Sequence, residues 1–242
     1  MPVSHPGRTS GHDATAKAQA APAPAPGTGT RTAVAQLFAT PLARARCPFA
    51  SQVNAPLAAR ILQEAGAGAK EFGYKQETKG EFTAWAGSDA LRLSRWVCAV
   101  AAGFVESVTG TTLADAFTRS RQREAEDTGE PRPAAVGVTR SWASLYRAGD
   151  RHEAHLHPNT ALSAVYYVAA PGLCEIDLLD PRPAIDYYDP GITLAGESHR
   201  VRLSCPPGEL LVFPGWLKHA VPEFHDGEPR ISIAWNLNYT LG

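Results

Sequence analysis

The stretch that decides the fold is GDRHEAHLHP, residues 149–158. It places His155 and His157 two residues apart, and on a strand two such side chains project to the same face. A third histidine, His219, lies further along the chain and can reach the pair from a neighbouring strand. Imidazoles bind Fe(II), Zn, Cu or Ni, so the pattern predicts a metal site without naming the metal.

Three other site chemistries do not fit this stretch. A zincin helix needs two histidines four residues apart, whereas His152 and His155 are three apart. A zinc deaminase needs a Pro-Cys-x-x-Cys segment and an α/β-hydrolase needs Gly-x-Ser-x-Gly, and the sequence contains neither. A histidine triad carried on strands remains, with His152 and Asn159 as alternatives to His157 for the third ligand.

The second half of the chain has the pattern of a β protein. From Arg140 onward, short runs rich in Val, Ile, Leu and Tyr alternate with turns of Gly, Pro and Asp. The runs are SWASLY, LSAVYYV, EIDLL, HRVRLS, GELLVF and RISIAWNLNY. Several short strands at this spacing predict a sandwich or barrel. We therefore expect a mainly β fold with flanking helices and a β core over about residues 138–240.

The chain begins with a stretch of low apolar content. Residues 1–32 carry APAPAPG and scattered Ser, Thr and Gly, and they are expected to form a disordered tail. A single domain is expected over residues 33–242. Its first strand is predicted within residues 34–42, which read VAQLFATPL.

Two helices are predicted over residues 54–110. Asn54 is the expected N-cap of the first helix, which should end near Gly66. Ser88–Asp89 should cap the second helix, and Gly110 should stop it. Its predicted core-facing stripe is Leu93, Trp96, Val97, Val100, Phe104 and Val108.

Composition excludes several classes of partner. The net charge is -1 and the pI about 6.7, so no basic excess indicates nucleic acid or a membrane surface. No apolar run is long enough to span a bilayer, and no signal pattern opens the chain. The four cysteines are scattered without a Cys-x-x-Cys pair, which favours reduced thiols over zinc or disulfides. These features predict a cytoplasmic protein.

Arg230 is the residue that discriminates best between kinds of metal site. It follows His219 by eleven residues and opens the run RISIAWNLNY. On a strand, Arg230, Ser232 and Asn236 share one face. Ile231, Ile233, Trp235 and Leu237 share the other, an alternation expected where a sheet lines a polar pocket. A guanidinium binds a carboxylate through two parallel hydrogen bonds, and Ser232 can add a third.

The histidine spacings resemble the two motifs of the cupin superfamily. Gly149 precedes His155 and His157 as in the first motif, although the glutamate that often follows is missing. Gly208 and Pro214 precede His219 as in the second motif, with Trp216 where glycine is usual. The resemblance implies a double-stranded β-helix, which is a jelly roll.

Within that superfamily the chain is most similar to the 2-oxoglutarate/Fe(II) oxygenases. The likeness lies in SWASLYRAGDRHEAHLHPNTALSAVYYV, LLDPRP, PPGELLVFPGWLKHAV and EPRISIAWNLNY. It implies that His155, His157 and His219 hold Fe(II), with histidine at 157 where most relatives have a carboxylate. It also implies that Arg230 and Ser232, with the hydroxyl of Tyr146, bind the distal carboxylate of 2-oxoglutarate.

The expected activity is an oxygenation that consumes 2-oxoglutarate and O2. We expect hydroxylation of an amino acid, a peptide or a natural-product intermediate, in a pocket that Asn159, Trp216 and Asn236 help to line. Two alternatives remain: a three-histidine cupin dioxygenase that uses no oxoacid, and a non-enzymatic module that binds its ligand through a metal. The expected partner is a small-molecule or peptide substrate. If the protein forms an oligomer, we expect a dimer.

Overall fold

In the part of the chain that the structure describes, strands form two facing antiparallel sheets. The computed structural model describes residues 38–68, 70–71, 74–122, 133–172, 174–182 and 199–241. The tail predicted over residues 1–32 lies outside these ranges. The helices are α1 (Ala50–Gly66), α2 (Phe82–Trp85), α3 (Gly87–Thr109) and α4 (Leu113–Gln122). The strands are β1 (Ala43–Arg46), β2 (Lys70–Glu71), β3 (Gln76–Glu77), β4 (Ala134–Tyr146), β5 (His152–His155), β6 (Leu162–Ala169), β7 (Glu175–Leu179), β8 (Arg200–Ser204), β9 (Glu209–Pro214), β10 (His219–Val221) and β11 (Arg230–Leu241).

The sheet topology is that of a double-stranded β-helix. The large sheet has the order β1-β9-β6-β11-β4-β3-β2, and the small sheet has the order β5-β10-β7-β8. The eight strands from β4 onward therefore divide equally, with β4, β6, β9 and β11 facing β5, β7, β8 and β10. This arrangement confirms the predicted jelly roll with flanking helices.

Strand β11 shows why the sequence adopts this arrangement. Ile231, Ile233, Trp235 and Leu237 belong to the apolar cluster that packs under the helices. Arg230 and Ser232 are buried on the opposite face, which looks toward the small sheet. The predicted alternation of β11 is confirmed, and it directs the polar residues into the space between the sheets.

The first helix starts earlier than predicted. It begins at Ala50 with Phe49 at the N-cap, whereas its end at Gly66 agrees with the prediction. Asn54 lies inside the helix, where its Oδ1 accepts a hydrogen bond of 2.7 Å from the hydroxyl of Tyr166 on β6. The predicted cap is therefore wrong, because a tertiary contact uses the side chain that suggested it.

Helix α3 packs through smaller residues than predicted. It ends at Thr109, and Gly110 adopts a left-handed φ of 66°, as expected of a C-terminal glycine. The buried residues of the helix are Ala90, Leu93, Ser94, Val97, Ala101 and Val105. Val108 of the predicted stripe is instead 54% exposed. Small side chains allow the helix to approach the sheet, and Ser94 Oγ accepts a hydrogen bond of 3.0 Å from Trp235 Nε1.

The N-terminal part contributes strands as well as helices. β1 pairs with β9, and the short hairpin β2–β3 pairs with β4, so both edges of the large sheet come from the first half of the chain. Of the predicted first strand, residues 34–37 lie outside the described ranges and residues 38–42 are not a strand. The first strand is Ala43–Arg46, in which the alanines are partly buried and the arginines are exposed. The predicted β core also begins earlier, at Ala134.

No single helix of the described residues is long and apolar enough to cross a membrane. Taken together, α3 and the start of α4 pass that criterion as a pair bent by 64°. The apolar side of α3 is part of the core under the large sheet.

Candidate metal centre

The three predicted histidines meet at one end of the small sheet. His155 ends β5 and His219 begins β10, and the two residues are paired across the strands. His157 lies two residues beyond the end of β5, so the predicted pair does not share one regular strand. The ring centroids are 5.5 Å apart for His155 and His157, 4.2 Å for His155 and His219, and 5.1 Å for His157 and His219. One ligand atom from each residue lies within 4.8 Å of the other two.

A glycine turn fixes His157 outside the strand. The amide of His157 donates a hydrogen bond of 3.0 Å to the carbonyl of Gly215, and the amide of Gly215 donates one of 3.1 Å to Ala161. A Cβ on Gly215 would lie 2.2 Å from the carbonyl oxygen of Thr160. Only glycine permits this approach, which holds the turn after β5 against the turn that leads to His219.

Hydrogen bonds to Nδ1 orient all three imidazoles. Nδ1 of His155 contacts the carbonyl of Glu153 at 2.8 Å, and Nδ1 of His219 contacts that of Leu217 at 3.0 Å. Nδ1 of His157 contacts Oδ1 of Asn236 at 2.6 Å. These oxygens only accept, so each Nδ1 carries the proton and donates it, which leaves the lone pair on Nε2. Oxygen partners of this kind orient metal-bound histidines in known sites.

Burial keeps the triad neutral. Burial is the largest cause that lowers the pKa of His155 to about 4 and that of His219 to about 3, and it also lowers the pKa of His157. The positive charge of Lys75 acts in the same direction on all three. Metal ions bind the neutral imidazole, so the site is already in its ligating form at neutral pH.

The two alternative third ligands do not join this group. The ring of His152 stacks on that of His155 with centroids 3.7 Å apart, and Tyr74 stacks on His152 at 5.2 Å. Asn159 is exposed in the turn before β6, where its φ is 55° and its carbonyl accepts a hydrogen bond from Asn238. Among the described residues, the group that can hold a metal ion consists of His155, His157 and His219.

Arg230 lies inside the molecule and has an unused donor. Arg230 is 2% exposed. Its guanidinium carbon lies 5.0 Å from the ring centroid of Tyr146 and 5.3 Å from that of Tyr167. One terminal nitrogen donates to the carbonyl of Glu175 at 2.9 Å, whereas Nε is buried without a partner in the described ranges. No carboxylate of the described residues forms an ion pair with it, so its charge is not used by a salt bridge within those residues.

The unused groups around Arg230 form a place for an anion. The hydroxyl of Tyr167 is also buried, and within the described residues the polar group beside it is the weakly hydrogen-bonding thiol of Cys205. Ser232 pairs with Tyr167 across β11 and β6 and is 6% exposed. Burial raises the pKa of Tyr146 and of Tyr167, so both hydroxyls stay protonated and can donate. A buried cation with open donors beside it is costly unless a ligand completes it.

Asn236 has a different role from the predicted one, which was to line the substrate pocket. Its side-chain oxygen holds His157, so Asn236 supports a candidate metal ligand. Trp216, also predicted to line the pocket, lies in the turn after β9 and is 52% exposed. Trp142 had no predicted role, and its ring lies 5.6 Å from the ring of His157.

A buried ion pair next to the triad was missed by sequence reasoning. Lys75 and Glu77 are 5% and 7% exposed, and their side chains form a salt bridge. Glu77 pairs with Ser144 on β4, which places it at the edge of the same space between the sheets. A two-residue strand has no periodic signal in sequence, so no pattern could have located the pair.

The second half of the chain matches a known family. Residues 140–236 fit a family model described as "putative 2OG-Fe(II) oxygenase", and the match includes the three histidines, Arg230 and Ser232. The family resemblance is confirmed. A search among curated proteins found no match to this chain.

Solved structures share the fold at low identity. AviO1 from Streptomyces viridochromogenes Tue57 has a TM-score of 0.50 and 14% identity, covering 82% of this chain and 89% of its own. HygX from Streptomyces hygroscopicus, solved with nickel, 2-oxoglutarate and hygromycin B bound, has a TM-score of 0.50 and 10% identity, covering 84% of this chain and 83% of its own. At such identities the likeness shows the double-stranded β-helix alone.

Proposed function

We propose that this protein is an Fe(II)- and 2-oxoglutarate-dependent oxygenase that hydroxylates an amino acid, a peptide or a natural-product intermediate. The observation that carries the proposal is Arg230, a buried guanidinium with an open Nε. It lies on the face of β11 that looks toward the histidine triad. A metal site alone needs no such residue, whereas a site for a metal and a dicarboxylate does.

The donor set fits ferrous iron. Three neutral imidazoles whose ligand atoms lie within 4.8 Å of one another suit divalent transition metals and leave further coordination positions open. Bound Fe(II), with 2-oxoglutarate and O2 as co-substrates, supplies oxidation of a substrate C–H bond coupled to conversion of the oxoacid to succinate and CO2. The residues that would hold the iron are His155, His157 and His219.

The chain's own part is to bind and orient the oxoacid. Arg230 would donate to the distal carboxylate, and the hydroxyls of Tyr167, Tyr146 and Ser232 would complete its hydrogen bonds. Because all these side chains are buried, the carboxylate would be held away from water, where charge-assisted hydrogen bonds are strongest.

The third histidine makes the site more positive than that of most relatives. A carboxylate ligand would cancel one charge of the iron, and neutral His157 does not. The more positive centre should favour anionic ligands, and the oxoacid is one.

The test is the stoichiometry of turnover. Protein reconstituted with Fe(II) is supplied with 2-oxoglutarate and O2, and succinate release is measured together with O2 uptake. The proposal predicts succinate formation in step with O2 uptake, and neither without the metal. O2 uptake without succinate would instead support the three-histidine dioxygenase. Metal-dependent ligand binding without turnover would support the binding module.

A further inference from the structure

Strand β4 carries a second arginine on the wall of the space between the sheets. Arg140 pairs with Asn236 and Trp142 pairs with Ala234, whereas Tyr146 pairs with Arg230 at the other end of the strand. Because side chains alternate along a strand, Arg140 and Trp142 share the face of Tyr146. The inner face of β4 therefore runs from the Arg230 end, past the triad, to Arg140.

Arg140 and Trp142 form a short stack that starts at a candidate metal ligand. The ring of Trp142 lies 5.6 Å from that of His157, and the guanidinium carbon of Arg140 lies 4.8 Å from the ring of Trp142. Arg140 is exposed and Trp142 is half-buried, so the stack leads from the triad outward to solvent. A guanidinium held over an indole ring by a cation–π contact can still donate hydrogen bonds to an oxyanion.

Within the described residues, Arg140 is a cation beside this site that has no charged partner. Lys75 is paired with Glu77, and Arg230 is assigned to the oxoacid. No carboxylate of the described residues forms an ion pair with Arg140. An exposed arginine on a tryptophan is common on protein surfaces, but this one faces a candidate metal ligand across a single ring.

We propose that the prime substrate is an acidic small molecule whose carboxylate or phosphate group is bound by Arg140, with an apolar or flat portion against Trp142. The inference rests on the proposed function and names the substrate class of the same site. Arg140 would fix one end of the substrate, and the ring of Trp142 would direct the adjoining part toward the triad.

The test uses matched probes that differ in charge alone. Phenylacetate, indole-3-acetate and hexanoate are each compared with their primary amides, and phenyl phosphate and hexyl phosphate represent the second oxyanion. Each probe is titrated anaerobically into protein loaded with Fe(II) and 2-oxoglutarate, and its dissociation constant is read from the change in the absorption band of the iron–oxoacid complex. The proteins compared are wild type, Arg140→Gln, Arg140→Lys and the control Arg95→Gln, which removes an exposed charge from α3.

The expected result is that at least one carboxylate or phosphate probe binds the wild type, and that the amide of any carboxylate that binds does so at least tenfold more weakly. Arg140→Gln should weaken binding of that oxyanion by about 10- to 100-fold, Arg140→Lys should weaken it by less, and Arg95→Gln should not weaken it. The oxyanion that binds more tightly identifies the substrate group. The inference is overturned if neither a carboxylate nor a phosphate binds, if amides bind as well as their carboxylates, or if Arg140→Gln leaves the affinity for the bound oxyanion unchanged. Absence of the 2-oxoglutarate band in wild-type protein would overturn the proposed function instead.

Discussion

At the scale of single residues, the site depends on which nitrogen of each histidine carries the proton. Two of the three Nδ1 protons are fixed by backbone carbonyls, which substitution cannot remove. The third is held by the side chain of Asn236, so His157 is the one ligand whose orientation a single substitution can release. His157 is also the position at which the family resemblance implies a carboxylate in most relatives. Asn236 is therefore the most direct probe of whether His157 binds the metal.

Replacing Asn236 by alanine should lower affinity for Fe(II) by about 10- to 100-fold, because outer hydrogen bonds of this kind typically contribute that much. Asn236→Asp keeps a hydrogen-bond acceptor for His157 and should lose less of the affinity for Fe(II). The measurement is anaerobic metal titration of the metal-free protein. Asn54→Ala is the matched control, since Asn54 also accepts one hydrogen bond but lies on the helix side of the large sheet. Equal metal affinity in Asn236→Ala and wild type would indicate that His157 does not bind the metal.

At the scale of elements, two short connections place residues of the site that the long strands do not carry. The turn at Gly215 holds His157 in place. The hairpin β2–β3 brings Lys75 and Glu77 to the edge of the space between the two sheets. The turn lies in PPGELLVFPGWLKHAV, one of the stretches that carry the family resemblance, whereas the hairpin lies in none of them. Sequence patterns find elements by periodicity, and elements of two residues have none.

Gly215→Ala should be destabilising and should weaken metal binding together. The added methyl group would overlap the carbonyl of Thr160, and overpacking of this kind costs about 1–3 kcal/mol. Gly103→Ala is the control, because its Cβ would meet nothing within 4 Å and alanine favours the helix by about 0.5–1 kcal/mol. Chemical denaturation and metal titration check both. A Gly215→Ala protein with wild-type stability and metal affinity would contradict the account of this turn.

Removing one member of the Lys75–Glu77 pair should lower the stability of the protein more than replacing both members by apolar residues. Lys75→Met leaves a buried carboxylate unpaired and should cost about 3–5 kcal/mol, whereas Lys75→Met with Glu77→Leu should recover most of that loss. Urea denaturation of the metal-free proteins measures both. If the single and double variants were equally stable, the pair would not be coupled as the structure indicates.

At the scale of the whole molecule, the metal site joins parts of the chain that are distant in sequence. His155 and His219 lie on adjacent strands of the small sheet, and Asn236 of the large sheet supports His157. A bound ion would therefore connect both sheets. The jelly roll, the triad and Arg230 were predictable, because motif spacing and the alternation in β11 encode them. The N-terminus of α1 and the buried face of α3 were not, because tertiary contacts of Asn54 and Ser94 override the local patterns.

Metal removal should lower the melting temperature, since an ion that binds only the folded state stabilises it by mass action. At free metal a hundredfold above its dissociation constant, the gain is about 2.7 kcal/mol. Thermal unfolding with and without a chelator measures it. His219→Ala should abolish the difference, whereas His225→Ala, which removes an exposed histidine outside the triad, should not. A chelator that shifts wild type and His219→Ala alike would place the metal elsewhere.

An anaerobic titration is the most direct test of the proposal that Arg230 binds an oxoacid next to the triad. Wild type, Arg230→Ala and the control Arg95→Ala are loaded with Fe(II), and the absorption band of the iron–oxoacid complex is followed as 2-oxoglutarate is added. We expect nearly equal iron content in all three proteins. We also expect about 100-fold weaker 2-oxoglutarate binding in Arg230→Ala alone, since two charge-assisted hydrogen bonds are lost. Unchanged 2-oxoglutarate affinity in a folded, iron-loaded Arg230→Ala protein would remove Arg230 from this role.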